Sequence, residues 1–178
     1  MKQGVILIGP MGAGKSTVGR LLAARLHLPF LDSDSIIVER TGVSIPTIFE
    51  IEGEAGFRQR ESRVLTELLG TGPMVLATGG GVVLRPQNRQ VLRELGRIVF
   101  LNVSVDEQLR RVRQDPNRPL LQVEDPRARL EAMQAERGPI YRELADLILK
   151  TDNLRADQVV GQIFKYLKKA RPACPEAR

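Results

Sequence analysis

The chain has 178 residues, 42% apolar and 27% charged, with a formal net charge of +6. That length and apolar content suit a single domain, residues 1–170, with a real core, followed by a Pro-flanked tail, 171–178, that reads as frayed. The one cysteine, Cys174, lies in that tail and excludes both a disulfide framework and a cysteine metal cluster. No apolar run approaches a membrane span and no signal-peptide pattern precedes the first strand, so the expected product is soluble, cytoplasmic and free of membrane. Of the 27 basic residues 21 are arginine, a choice that suits bidentate capture of phosphate or carboxylate. Nucleic acid is not expected as a partner, because aromatics are only 4% and no basic run exceeds a pair.

In chain order, the apolar run Val5 to Ile8 predicts a buried strand. Directly after it comes Gly9-Pro10-Met11-Gly12-Ala13-Gly14-Lys15-Ser16, a complete phosphate-binding loop. Glycines let the backbone curl around phosphates, a lysine reaches the β/γ oxygens, and a hydroxyl can ligate Mg²⁺. The loop opens a helix over Lys15 to Leu26, with Thr17 in its first turn and Val18, Leu21, Leu22 and Leu26 at helical spacing. Gly12, Ala13, Gly14, Lys15, Ser16 and Thr17 are therefore the candidate residues for binding a nucleoside triphosphate.

A second buried strand, Phe30 to Leu31, runs into Asp32-Ser33-Asp34. A carboxylate here can organise Mg²⁺ through water and its neighbour can accept a proton or hydrogen bond from an alcohol. The plainer reading makes the two aspartates caps for a helix over Ser35 to Arg40. Pro46, followed by Ile48, Phe49 and Ile51, predicts short helices forming a small subdomain, about 33–61, over the sheet edge. The third strand, Met74 to Ala77, ends in Thr78-Gly79-Gly80-Gly81, where a ligand can approach the main chain. Arg89 and Arg93 read as solvated helix surface. The fourth strand, Ile98 to Leu101, like the third, lacks the terminal Asp of a Walker B strand, which leaves Asp32 as the metal-side carboxylate.

Ser104-Val105-Asp106-Glu107 predicts a capping box and a helix ending near Arg113. Residues 114–126, with Pro116, Pro119 and Pro126, read as a mobile lid that carries Arg118. A fifth strand is expected at Leu147 to Leu149, and a final helix over Arg155 to Ala170 packs Val159, Val160, Ile163, Phe164 and Leu167 on one stripe. Five strands with intervening helices predict an α/β fold of the P-loop type: three layers, with a five-stranded parallel sheet flanked by helices.

The phosphate loop occurs in one order with Asp32-Ser33-Asp34, Phe57-Arg58, Gly79-Gly80-Gly81, Arg118-Pro119-Leu120-Leu121 and Arg137-x-x-x-Tyr141. That combination resembles the shikimate kinase family over roughly residues 4 to 167. The resemblance implies transfer of the ATP γ-phosphoryl group to the 3-hydroxyl of shikimate, in aromatic amino-acid biosynthesis by way of chorismate. It implies that Arg58 and Arg137 hold the shikimate carboxylate, that Asp34 grips the reacting hydroxyl, and that Gly79, Gly80 and Gly81 wall the ring with Gly80 as a direct donor. Lys15, Asp34 and Arg118 are the implied catalytic residues, with Arg118 acting as an arginine finger in cis. Ser16 and Asp32 are expected to hold Mg²⁺, the hydroxyl directly and the carboxylate through water. Adenine is expected between Arg111 and the loop around Asn153 to Ala156, where Leu154-Arg155-Ala156 replaces a proline found in some relatives.

Glu61, three residues after Arg58, either orients that guanidinium or forms an ordinary exposed helix pair. Other small-metabolite kinases, such as gluconate kinases, nucleoside monophosphate kinases, and nucleotide-dependent switch proteins share the phosphate loop. Arg58, the triple glycine and Arg137 set this chain apart from the gluconate kinases; a base-binding pocket would mark the nucleoside monophosphate kinases, and phosphoryl transfer to a small acceptor distinguishes a kinase from a switch protein. Nothing in the sequence resembles a dimer seam, so a monomer is expected.

Overall fold

The computed structural model describes residues 4–112 and 123–169. Most of the expected lid, Arg118 included, and the tail lie outside the described residues. Five parallel strands, β1 (Gly4–Ile8), β2 (Phe30–Asp32), β3 (Val75–Ala77), β4 (Gly96–Asn102) and β5 (Leu147–Lys150), form one sheet in the order β2-β3-β1-β4-β5. Ile6 aligns with Leu76 on one side and Ile98 on the other.

The pleat sends alternate side chains to opposite faces, and each face has its own apolar cluster. Ile6, Ile8, Leu76, Ile98 and Phe100 point to one, which is closed by α2 (Ser33–Thr41), α3 (Ile45–Glu67), α4 (Pro86–Leu95) and α6 (Pro126–Leu144). Val5, Leu7, Val75, Val99 and Leu101 point to the other, closed by α1 (Lys15–Leu26) and α7 (Ala156–Lys169). The remaining helix, α5 (Val105–Val112), packs beside α6. β1, β3 and β4 are central and almost wholly buried, whereas β2 and β5 are edges and only partly covered. The expectation of five buried strands therefore fails at the two edges, where one flank of each strand has no strand partner among the described residues.

Several local expectations also change. Leu21 is on the solvent side of α1, because the buried stripe runs through Val18, Leu22 and Ala23. The short helices after Pro46 are one run, α3, broken at Gly53 (φ 69°, ψ −178°), a region that side chains with a Cβ rarely enter. Ile51, just before that break, is 74% exposed and belongs to no core. Arg93 is exposed as expected, but Arg89 is half-buried with its Nε enclosed.

The capping box at Ser104 is only half made. Glu107 N donates to Ser104 Oγ, while the Ser104 amide donates to Asp152 Oδ1 instead of to Glu107. The Glu107 carboxylate is drawn away by Arg110 and Arg111, both at 2.6 Å, and a charge-assisted pair outcompetes a single amide.

Candidate functional site

The C-terminal ends of β1, β2 and β3 open into a cleft of about 310 Å³, bordered by the phosphate loop, Asp32, Asp34, Thr78, Gly79, Gly80 and Arg111. This is where an open parallel sheet presents loop amides and helix N-termini to a ligand. Gly14, in the left-handed region at φ 86°, turns the chain into α1 so that the helix begins at Lys15. The ammonium of Lys15 donates to the carbonyls of Gly9 and Pro10, each at 2.8 Å, and so holds the loop in a closed curl.

Asp32 does two jobs with its two oxygens. Its Oδ2 accepts from Ser16 Oγ at 2.6 Å, which ties β2 to the loop. Its Oδ1 accepts from the amides of Asp34 and Ser35 at 3.1 and 3.4 Å, which caps α2. The capping role and the loop-side role are thus compatible, and α2 begins at Ser33 rather than Ser35. Across the cleft, Arg111 donates to Gly12 O at 2.9 Å and to Thr151 O at 3.1 Å, while its Nε pairs with Glu107. Arg111 therefore joins the phosphate loop to the segment after β5. The Arg110 hydrogen bond outweighs the opposing effect of burial and, with the Arg111 hydrogen bond, brings the pKa of the Glu107 carboxyl down to about 2.

A second, buried cluster abuts the glycine run. Arg58, Glu61 and Arg137 are 7%, 0% and 5% exposed, unusual for charged groups unless they are paired. Arg58 Nη1 donates to Glu61 Oε2 at 2.9 Å, and its Nη2 and Nε donate to Glu54 Oε1 at 2.9 and 3.3 Å. Burial works against the Arg58 charge, but the Glu61 and Glu54 carboxylates overcome it and raise the guanidinium above its ordinary value. Burial pushes Glu61 up to about 7, with Asp34 adding to the rise and Arg58 and Arg137 pulling it back. The exposed-pair reading of Glu61 is therefore excluded. Arg137 Nε is enclosed without a hydrogen-bond partner, its nearest carboxylate oxygen being Glu136 Oε2 at 3.5 Å.

The glycines are there because these side chains lie on them. A Cβ at Gly81 would overlap the Arg58 guanidinium, and one at Gly79 would overlap Glu61 Oε1 and Asp34 Oδ1. The Gly79 amide donates to the fully buried Ser33 Oγ at 3.1 Å, so it is committed within the protein. The Gly80 carbonyl accepts from the Tyr141 hydroxyl, whose ring stacks on Phe100 with centroids 4.9 Å apart. Burial pushes the Tyr141 hydroxyl well above the usual phenol range, so it remains a donor. Asp34, Gly79 and Gly80 thus border the nucleotide-side cleft directly, whereas Arg58 lies against Gly81 and Arg137 lines a separate small cavity with Met11 and Tyr141.

Sequence reasoning missed Ser33, Tyr141 and Glu107 as functional supports. The four-residue spacing of Arg137 and Tyr141 was the available signal, since it puts both on one face of α6.

A family model for shikimate kinase matches residues 11–168. The chain belongs to the shikimate kinase family. A shikimate kinase from Thioalkalivibrio sulfidiphilus is 60% identical over 164 residues, covering 92% of this chain and 86% of the relative. One from Pseudomonas aeruginosa is 54% identical, covering 94% and 98%. Among solved structures, shikimate kinase from Acinetobacter baumannii in complex with shikimate superposes with a TM-score of 0.92 at 46% identity, over 95% of this chain and 94% of that one. Membership of the shikimate kinase family agrees with the parallel sheet, the loop after β1 and an ATP-dependent kinase activity. No helix among the described residues is long and apolar enough to cross a membrane.

Proposed function

We propose that this chain transfers the γ-phosphoryl group of ATP to the 3-hydroxyl of shikimate, giving shikimate 3-phosphate and ADP. The observation that carries this reading is the junction of two differently built sites at one glycine run: the phosphate-loop cleft on one side and the buried Arg58-Glu61-Arg137 cluster on the other. An acid carrying several hydroxyls needs a cationic fork for its carboxylate and oriented partners for its alcohols, and that pairing of groups is present.

Phosphoryl transfer asks mainly for alignment and for neutralisation of the equatorial oxygens. In this reading the loop amides from Gly12 to Thr17 and the Lys15 ammonium bind the phosphates, with Lys15 exchanging the Gly9 and Pro10 carbonyls for charged oxygens. Arg58 and Arg137 hold the acceptor carboxylate, Asp34 positions the reacting hydroxyl, and the run Gly79 to Gly81 forms the wall beneath the ring. Arg118, outside the described residues, completes charge stabilisation and excludes water. Arg111, bridging Gly12 and Thr151, shapes the nucleotide end near Asn153 to Ala156.

Ser16 Oγ and Asp32 Oδ2 form a hard oxygen pair beside the loop, which fits Mg²⁺. No group of three or more His, Cys, Asp or Glu among the described residues suits a metal, so phosphate and water must complete its shell. When bound, the ion offsets the phosphate charge that repels an incoming alcohol. The reading places the protein in the cytoplasm as a monomer acting in aromatic amino-acid biosynthesis through chorismate.

The test is coupled ADP release with shikimate, gluconate, AMP and no acceptor. Shikimate alone should drive turnover, and Lys15→Met should abolish it. Equal rates without acceptor would overturn the assignment.

A further inference from the structure

Glu61 is fully buried and uses only half of its carboxylate. Its Oε2 accepts from Arg58, while Oε1 has no hydrogen-bond partner among the described residues and lies with Asp34 Oδ1 where a side chain at position 79 would begin. The charged and titratable groups around it come from three helices. They are Arg58 on α3, with Glu54 on the far side of the same guanidinium, Asp34 on α2, and Arg137 and Tyr141 on α6. The segment Thr78 to Gly81 contributes no charge.

Two guanidinium groups thus already face three carboxylates before any ligand arrives. An acceptor carboxylate adds a further negative charge beside Arg58, Glu61 and Arg137, which are themselves almost wholly buried. Carboxylates crowded in low dielectric cannot all remain ionised, and the one most shielded from water takes the proton first. Glu61 is that group: burial and Asp34 already lift it to about 7, and only Arg58 and Arg137 restrain it. A ligand carboxylate that shares those two cations removes the restraint.

We infer that Glu61 is a proton-exchanging positioning residue of the acceptor site. It anchors Arg58 as a carboxylate in the free protein and takes up a solvent proton when an acceptor carboxylate engages Arg58 and Arg137. This rests on the shikimate reading above. The sign follows directly: binding that takes up a proton tightens as pH falls and weakens as pH rises through the free-state value.

The experiment titrates shikimate into the full chain with magnesium ADP by calorimetry, at pH 7.5 in buffers of different ionisation enthalpy, and repeats the titration at pH 8.5. Uptake of about 0.5–0.8 proton per shikimate is expected, with Kd rising about three- to tenfold over that pH unit. In Glu61→Gln uptake falls to zero and Kd becomes flat with pH, a change that a merely structural role would not produce. Shikimate binding in the parent with no uptake and a flat Kd overturns the inference and leaves the acceptor assignment standing; undiminished uptake in Glu61→Gln overturns it equally. Absence of saturable binding overturns the acceptor assignment and this inference with it. Should Glu61→Gln not fold, the parent series alone decides.

Discussion

Replacing Tyr141 with Phe removes one oxygen and little else. The ring is 2% exposed and stacked on Phe100, so its apolar burial survives in the variant. What disappears is the only donor to the Gly80 carbonyl among the described residues, and with it the hydrogen bond of the same oxygen with Arg137. An orphaned buried acceptor costs about 1–3 kcal/mol. Gly80 borders the open cleft and is only partly covered, so water can reach its carbonyl and the lower half of that range applies, about 1–2 kcal/mol. For a chain of this size each kcal/mol moves Tm by about 2–4 °C, so Tyr141→Phe should melt about 2–8 °C below the parent. Because the same peptide forms the wall of the proposed acceptor pocket, its loss of anchorage should raise KM for shikimate about three- to tenfold while KM for ATP stays within error. Differential scanning calorimetry and steady-state kinetics check the two halves. A parent-like Tm with parent-like KM for shikimate would refute the reasoning, since the hydroxyl would then anchor nothing.

Three further substitutions probe other parts of the fold. Gly81→Ala places a Cβ on the Arg58 guanidinium, which Glu61 and Glu54 hold from both sides, so shikimate affinity should fall about tenfold or more by equilibrium titration. Unaltered affinity would mean that Arg58 moves freely. Gly53→Ala meets no neighbouring atom but forces a side chain into a glycine-only backbone region, and urea unfolding should show a loss of about 1–3 kcal/mol. Arg111→Ala cuts the link between Gly12 and Thr151, so KM for ATP should rise about tenfold with KM for shikimate unchanged. A rise in both constants would place Arg111 in general stability instead.

Local pattern was enough for much of the architecture. The run Val5 to Ile8, the octet Gly9 to Ser16 and the helix from Lys15 depend on neighbours in sequence, and their order with later strands admits few topologies. The edge character of β2 and β5 was not legible, because apolar runs look alike whether one flank or both are paired. Glu107 illustrates the same limit at a helix end. Its spacing from Ser104 suits a capping box, yet the competing partners, Arg110 and Arg111, are equally close in sequence and carry charge.

By itself the sequence determined that this protein presents a phosphate-binding loop at the C-terminal end of a strand in a parallel sheet and carries the residues of the shikimate kinase family in order. Those features rest on backbone conformation and residue type, which short stretches of chain encode. Only the tertiary structure decided that Glu61 is buried rather than exposed, that Asp32 serves Ser16 and a helix cap at once, and that Tyr141 holds Gly80. Each of these joins segments far apart in the chain, and whether a charge is solvated or a carbonyl is held depends on what folding brings against it.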